Sequence, residues 1–276
     1  MMTSMIDDNG ELRQHYALGL EKDRLAAGAG LLERLRTEEI IRRHLPRPGA
    51  MVLDVGGGPG VYATWLAREG YTVHLVDPVP LHLEQAEESS RQSRTPLAGV
   101  HLGDARQLAW LDGSAEVVLL LGPLYHLTAR QDRLRALREA ARVLAPGGVI
   151  FVAAICRFAS LLDGLARQLL DDPTFAAIVE RDLAEGQHRN PSDRADYFTT
   201  AYFHLPDELR AEVVEAGFAP PQVLAVEGPL WLMSNLEQHL SDVKRRERLL
   251  AALRRIEAEP TLVGASAHLL AVARRP

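Results

Sequence analysis

Between residues 51 and 155, short runs of apolar residues alternate with stretches whose apolar side chains recur at helical spacing. Met51–Val55, Thr72–Val76, Gly99–Leu102, Glu116–Leu121 and Val149–Ile155 predict strands, with helices over 61–68, 80–92 and 128–144. Strands that are apolar throughout and alternate with helices belong to a parallel sheet covered on both faces. Upstream, Leu12, Tyr16, Leu20, Leu31, Leu32, Leu35, Ile40 and Ile41 predict helix over 11–45, broken at Gly28 and Gly30 and stopped by Pro46, Pro48 and Gly49. The alternation fails from Phe158 to about Arg194. It resumes with strands at Phe198–Phe203, Val223–Val226 and His268–Ala273 and a helix over 206–216. The expectation is an α/β fold, Rossmann-like and doubly wound. An amino-terminal helical lid occupies 1–45, a core domain 46–276, and an inserted cap about 157–197.

The 276 residues are 47% hydrophobic and 25% charged, enough to bury a sizeable core and too apolar for a disordered tail. A net charge of −6 and 5% aromatic content argue against nucleic acid as a partner. One cysteine, Cys156, excludes an internal disulfide, and no Cys/His cluster has zinc spacing, so no metal is expected. Residues 1–11 lack the apolar core of a signal peptide, and no run reaches the ~18 apolar residues of a spanning helix. A cytoplasmic protein without membrane association is expected, monomer or homodimer being open. Lys244, Arg245, Arg246 and Arg248 fall on a predicted helix, either as a solvated face or as a patch for an acidic partner.

The most informative segment is Leu53-Asp54-Val55-Gly56-Gly57-Gly58-Pro59-Gly60, a buried strand running into a turn too rich in glycine for side chains to obstruct a ligand. The dinucleotide fingerprint G-x-G-x-x-G/A is met at Gly56 and Gly58 but places Val61 at the third small position. Asp54 would also set a negative charge where a pyrophosphate belongs, whereas it suits a ligand bearing an ammonium group.

This segment resembles motif I of class I S-adenosylmethionine-dependent methyltransferases. Val76-Asp77 resembles the acidic end of that family's second strand, Gly103-Asp104-Ala105 the loop after the third, and Leu144–Gly148 the turn before the fifth. The resemblance implies a seven-stranded, mostly parallel sheet and methyl transfer from S-adenosylmethionine, leaving S-adenosylhomocysteine. It implies that Gly56, Gly57 and Gly58 lie against the methionine part of the cofactor, with Asp54 near its amino group. It further implies that Asp77 accepts both ribose hydroxyls, and that Asp104 and Ala105 meet the adenine. Leu121, closing the fourth strand, joins this cofactor set. Tyr16 and Arg24 fall near one helix face; Arg24 either pairs with the cofactor carboxylate or forms a surface pair with Glu21.

After the fourth strand, Gly122-Pro123-Leu124-Tyr125-His126 departs from the [DNS]-P-P-[YFW] motif of amide and nucleobase methyltransferases, which disfavours exocyclic nucleobase amines. A small-molecule acceptor, methylated at nitrogen or oxygen, is the expectation. His126 is a candidate proton acceptor or a structural histidine, and Tyr125 a catalytic group or an aromatic wall. His188, Arg189, Tyr202, His204 and Trp231 are candidate acceptor contacts. The competing readings are an NAD-dependent oxidoreductase and a non-catalytic protein that binds S-adenosylmethionine.

Overall fold

Apolar runs too short for helices and too buried for loops form the central sheet of the computed structural model, which describes residues 24–192 and 194–276. Five strands, β1 (Met51–Val55), β2 (Thr72–Asp77), β3 (Gly99–Leu102), β4 (Ala115–Leu120) and β5 (Leu144–Cys156), lie in the order β3-β2-β1-β4-β5. Each neighbouring pair is parallel. Val117 to Leu120 are all buried, as a strand covered on both faces requires. Helices α1 (Gly28–His44), α2 (Val61–Arg68), α3 (Pro80–Gln92), α4 (Pro123–His126) and α5 (Arg130–Val143) precede or connect these strands.

The chain enters the sheet at β1, winds outward to β3, then crosses back to β4 on the other side of β1. Strand order reverses between β1 and β4, and a ligand crevice forms at the carboxyl ends of strands where such a reversal occurs. The loops that leave this point are 56–60, after β1, and 121–122, before the short helix α4.

β5 starts earlier than the expected Val149. Ala115 pairs with Leu144 and Val117 with Val149, so residues 145–148 bulge out of the ladder, with Gly147 at φ 77°. Gly147 N–H donates to Arg275 O, and Arg275 N–H to Gly148 O, each at 2.9 Å. The segment expected to be a turn is thus a bulge within the strand.

The described residues divide into two compact units. One spans 38–153, 210–222 and 271–276 and carries the parallel sheet with α8 (Pro206–Glu215) contributing residues from Arg210 onward. Arg133, buried in α5, donates to Glu212 Oε1 at 2.8 Å and to the carbonyls of Leu127 and Thr128, fixing α5 to α8.

The other unit comprises the described residues through Thr37, then 154–209 and 223–270. Leu32 of α1 packs with Leu236 and Leu240 of α9 (Leu236–Ser241) and Leu249 and Leu253 of α10 (Val243–Ile256). α6 (Ala159–Ala166) and α7 (Pro173–Glu185) occupy the stretch where strand periodicity failed. Asp172 caps α7, accepting from Thr174 N–H at 2.7 Å. A short pair, β6 (Gln187–His188) with β7 (Ala201–His204), is antiparallel, and β7 runs parallel to the end of β5. β7 begins three residues later than expected because Ala195–Tyr197 is a 3-10 turn and Phe198 has φ 66°. With β8 (Gln222–Ala225) and β9 (His268–Arg274) the described residues hold nine strands; the short β6–β7 pair carries the count above seven. Among the described residues, no helix is long and apolar enough to cross a membrane.

Candidate functional site

The loop after β1 takes its shape from glycine. Gly56, Gly58 and Gly60 all have positive φ, at 71°, 53° and 86°. Gly57 has no room for a side chain: a Cβ there would lie 2.8 Å from the Asp54 carboxylate and 2.9 Å from Leu75 Cδ1. The loop therefore presents backbone to any ligand, ahead of the first turn of α2.

Asp54, fourth residue of β1, lies beneath this loop. It is 1% exposed, and neither carboxylate oxygen has a hydrogen-bond partner. Burial, with the charge of Asp77 added, pushes its pKa up to about 7, outweighing the opposing pull of the Ala63 backbone N–H. A buried acid with no donor is costly in a structural role. Asp77, ending β2, is 4% exposed and accepts from Gly58 N–H at 2.9 Å, Val79 N–H at 2.9 Å and His82 Nδ1 at 3.1 Å. It thereby joins the glycine loop to α3. The pattern reading missed His82, whose one signal is its position five residues beyond the acid, on the helix that Pro80 opens.

The turn after β4 lies against the same loop. A Cβ on Gly56 would be 2.5 Å from Pro123 Cδ and Cγ; one on Gly122 would be 3.0 Å from Gly56 O and 3.8 Å from the Tyr125 hydroxyl. Glycine at 122, in the position that is polar in the amide motif, is what allows this approach. Tyr125 and His126 are half-buried, their rings edge to face at 4.6 Å. Leu121 is half-buried at the exit of β4, and Ala105 is buried.

Asp104, expected to meet the adenine, pairs with Arg106. Its carboxylate accepts from Arg106 N–H at 2.8 Å and from Arg106 Nη2 at 2.7 Å, and Arg106 also reaches Asp132 at 3.1 Å. Burial raises the Asp104 pKa, but the Arg106 hydrogen bonds and charge outweigh it and hold the carboxyl below its ordinary value. The Asp104 carboxylate is thus engaged within its own turn.

In the second unit, several candidates serve its own structure. Arg24 donates to Glu33 at 2.5 and 3.0 Å; Glu21 and Tyr16 lie outside the described residues. Glu33 stands 3.7 Å from His268 Nδ1, which donates to Glu227 Oε1 at 2.7 Å. Against the opposing effect of burial, the two carboxylates push the His268 pKa up to about 9. His188 is buried with both ring nitrogens engaged, Nδ1 at 2.8 Å from Asp182 and Nε2 at 2.8 Å from Tyr197 O. It ties together the helical insertion. Trp231 donates to Ala265 O at 3.1 Å and packs on the Leu32 cluster, a structural place as well. The Tyr202 hydroxyl meets Arg157 and Glu208, His204 is fully buried edge-on to Tyr202, and Arg189 is half-buried.

A family profile described as a methyltransferase domain matches residues 53–152, from the strand before the glycine loop to the middle of β5. The chain is 31% identical over 180 residues to methyltransferase GfsG of Streptomyces halstedii, covering 64% of this chain and 59% of that one. It is 33% identical over 181 residues to a ubiquinone biosynthesis O-methyltransferase of Azorhizobium caulinodans, covering 63% of this chain and 60% of that one. The match thus spans about three-fifths of each relative's own length. An S-adenosylmethionine-dependent methyltransferase structure from Mesorhizobium loti superposes with a TM-score of 0.58 at 17% identity, covering 88% of this chain and 100% of that one, a likeness of fold. Residues 53–152 match a methyltransferase domain, and over about three-fifths of its length the chain is similar to methyltransferases. Its fold is the Rossmann-like sheet of S-adenosylmethionine-dependent methyltransferase structures, whose cofactor is S-adenosylmethionine.

The residues present fit that cofactor. Asp54 is a buried acid whose oxygens have no hydrogen-bond partner, which suits an ammonium donor, and the loop over it has no side chain that would obstruct a methionine chain. Asp77 stands at the end of the neighbouring strand, where an acid meets ribose hydroxyls in Rossmann-like folds.

Proposed function

We propose that this chain transfers a methyl group from S-adenosylmethionine to a small-molecule acceptor at nitrogen or oxygen. The observation that carries the reading is Asp54, sealed under the glycine loop with no hydrogen-bond partner. A protein that bound nothing there would gain by replacing it with a neutral residue. In this reading Asp54 takes the cofactor ammonium, Asp77 the ribose hydroxyls, and Gly56 and Gly58 admit the methionine chain by their lack of side chains.

The bound cofactor supplies an electrophilic methyl on a sulfonium, for in-line displacement by the acceptor. The chain then has to align the acceptor, exclude water and accept any proton the nucleophile sheds. Tyr125 and His126 occupy the turn that abuts the glycine loop, so they are the proposed wall and proton acceptor. An imidazole titrates in the range this demands. Gly122 cannot offer the side-chain acceptor that amide and nucleobase enzymes use, which supports a different acceptor class. The O-methyltransferase among the relatives supports oxygen as one of the two target atoms.

Isothermal titration with S-adenosylhomocysteine tests the reading directly: binding at micromolar concentration is expected, and folded protein that shows none sinks it. Once an acceptor is in hand, His126→Gln is expected to lower kcat at least tenfold and leave cofactor affinity within twofold. An unchanged kcat removes His126 from the chemistry.

A further inference from the structure

The Asp77 carboxylate carries more hydrogen bonds than its role as a ribose acceptor leaves room for. A carboxylate offers about four lone-pair positions. Here Gly58 N–H occupies one on Oδ2, and Val79 N–H and the His82 imidazole occupy two on Oδ1. One position is left, whereas acceptance of both ribose hydroxyls needs two.

The donors differ in what would move them. The amide of residue 58 belongs to the glycine loop, and that of residue 79 to the turn that starts α3; displacing either rearranges backbone. The third sits on a side chain with two rotatable bonds, in the first turn of α3. A carboxylate only accepts, so His82 Nδ1 carries the proton of this contact. His82 is 4% exposed, as is Asp77, so their bond forms away from solvent and leaves no unpaired acceptor where Asp77 faces the helix. The imidazole also lies against the loop: a Cβ on Gly58 would have His82 Nδ1 as its nearest neighbour, at 4.0 Å.

We propose that His82 holds the place of a ribose hydroxyl, satisfying Asp77 in the cofactor-free chain and yielding its position on Oδ1 when the ribose binds. His82 then sets cofactor affinity by competition. This rests on the reading of Asp77 as the ribose acceptor. It concerns a residue acting through that acid, not one that touches the transferred methyl.

The test compares wild type with His82→Leu and His82→Gln. Titration uses S-adenosylhomocysteine and its counterpart lacking both ribose hydroxyls. Leucine removes the competing donor, so that variant is expected to bind S-adenosylhomocysteine roughly tenfold tighter, a single charge-assisted hydrogen bond being at stake. Glutamine keeps an N–H donor and is expected to return the affinity toward wild type. The ligand without hydroxyls is expected to bind all three proteins equally. His82→Met, unbranched, serves the same comparison should the leucine variant fail to fold. Unchanged or weaker binding by the leucine and methionine variants overturns the proposal, as does an equal gain for the ligand without hydroxyls. A folded wild type that binds neither ligand overturns the cofactor reading itself and this inference with it. Wild-type binding that does not distinguish the two ligands rejects Asp77 as the ribose acceptor while leaving cofactor binding in place.

Discussion

Asp54 and Glu227 are both 1% exposed, and they could hardly be treated more differently. Glu227 accepts from the Ser266 hydroxyl at 2.8 Å, from His268 N–H at 3.0 Å and from His268 Nδ1 at 2.7 Å, with Ser266 Oγ also meeting the 227 and 228 amides. Neither Asp54 oxygen has a partner at hydrogen-bond geometry, and burial raises its pKa to about 7 against only a weak pull from the Ala63 amide. A buried acid that serves the fold is surrounded by donors; one kept for a ligand is left without them, at a cost in stability. The same contrast separates Asp182, tied to Ser160 at 2.6 Å and His188 at 2.8 Å inside the helical insertion, from Asp54.

Removing a partner from the satisfied network should have the largest effect. Glu227→Ala strands the His268 imidazole, the His268 amide and the Ser266 hydroxyl in the interior and is expected to cost about 3–5 kcal/mol in urea unfolding. Asp54→Asn, by contrast, is expected to leave the unliganded protein as stable or more stable at pH 8. If the two substitutions cost the same, burial alone explains both residues and the contrast fails.

The network also has a pH signature. His268 titrates higher in the folded chain, at about 9, than its ordinary 6.5, so its contribution is fully present below pH 6.5 and is lost as pH rises through 9. Melting curves at pH 7 and 9.5 should differ by up to about 3 kcal/mol, and His268→Gln should remove most of that difference. A difference that survives the substitution assigns the effect elsewhere.

At the glycine loop the expected effects fall on binding. Asp77→Ala should weaken S-adenosylhomocysteine by roughly a hundredfold, from two lost hydroxyl contacts. It should also lower the melting temperature modestly, since three donors lose their acceptor. An affinity within threefold of wild type would reduce Asp77 to a structural tie.

The smallest effect is the most diagnostic of Asp54. Its folded pKa lies above the ordinary carboxylate value, so in the free chain the acid costs stability as pH rises toward 7. A cationic ligand favours the ionised form, so S-adenosylhomocysteine should bind about tenfold tighter at pH 8 than at pH 6. Asp54→Asn should flatten that slope. A slope unchanged in the variant means that the ammonium group is met by another residue.

The linear chain determined the parallel sheet, because strands buried on both faces must be apolar without interruption and helices between them must not. β1, β3 and the span of α3 are legible to the residue, and the glycine loop declares itself because no packing argument needs four glycines in five positions. The ends of β5 and β7 were not legible. A glycine bulge at 145–148 and a left-handed Phe198 depend on pairing with residues far along the chain. Which polar side chains stay available for a ligand was decided by tertiary structure alone. Arg24, Asp104, His188 and Trp231 have the chemistry of site residues, yet each meets its partner within the fold: Glu33, Arg106, Asp182 and the Ala265 carbonyl. The reason is geometric. Residue type and spacing say what a side chain can bond to, but only the folded chain shows which bonds are already made, and Asp54 stands out because its own are not.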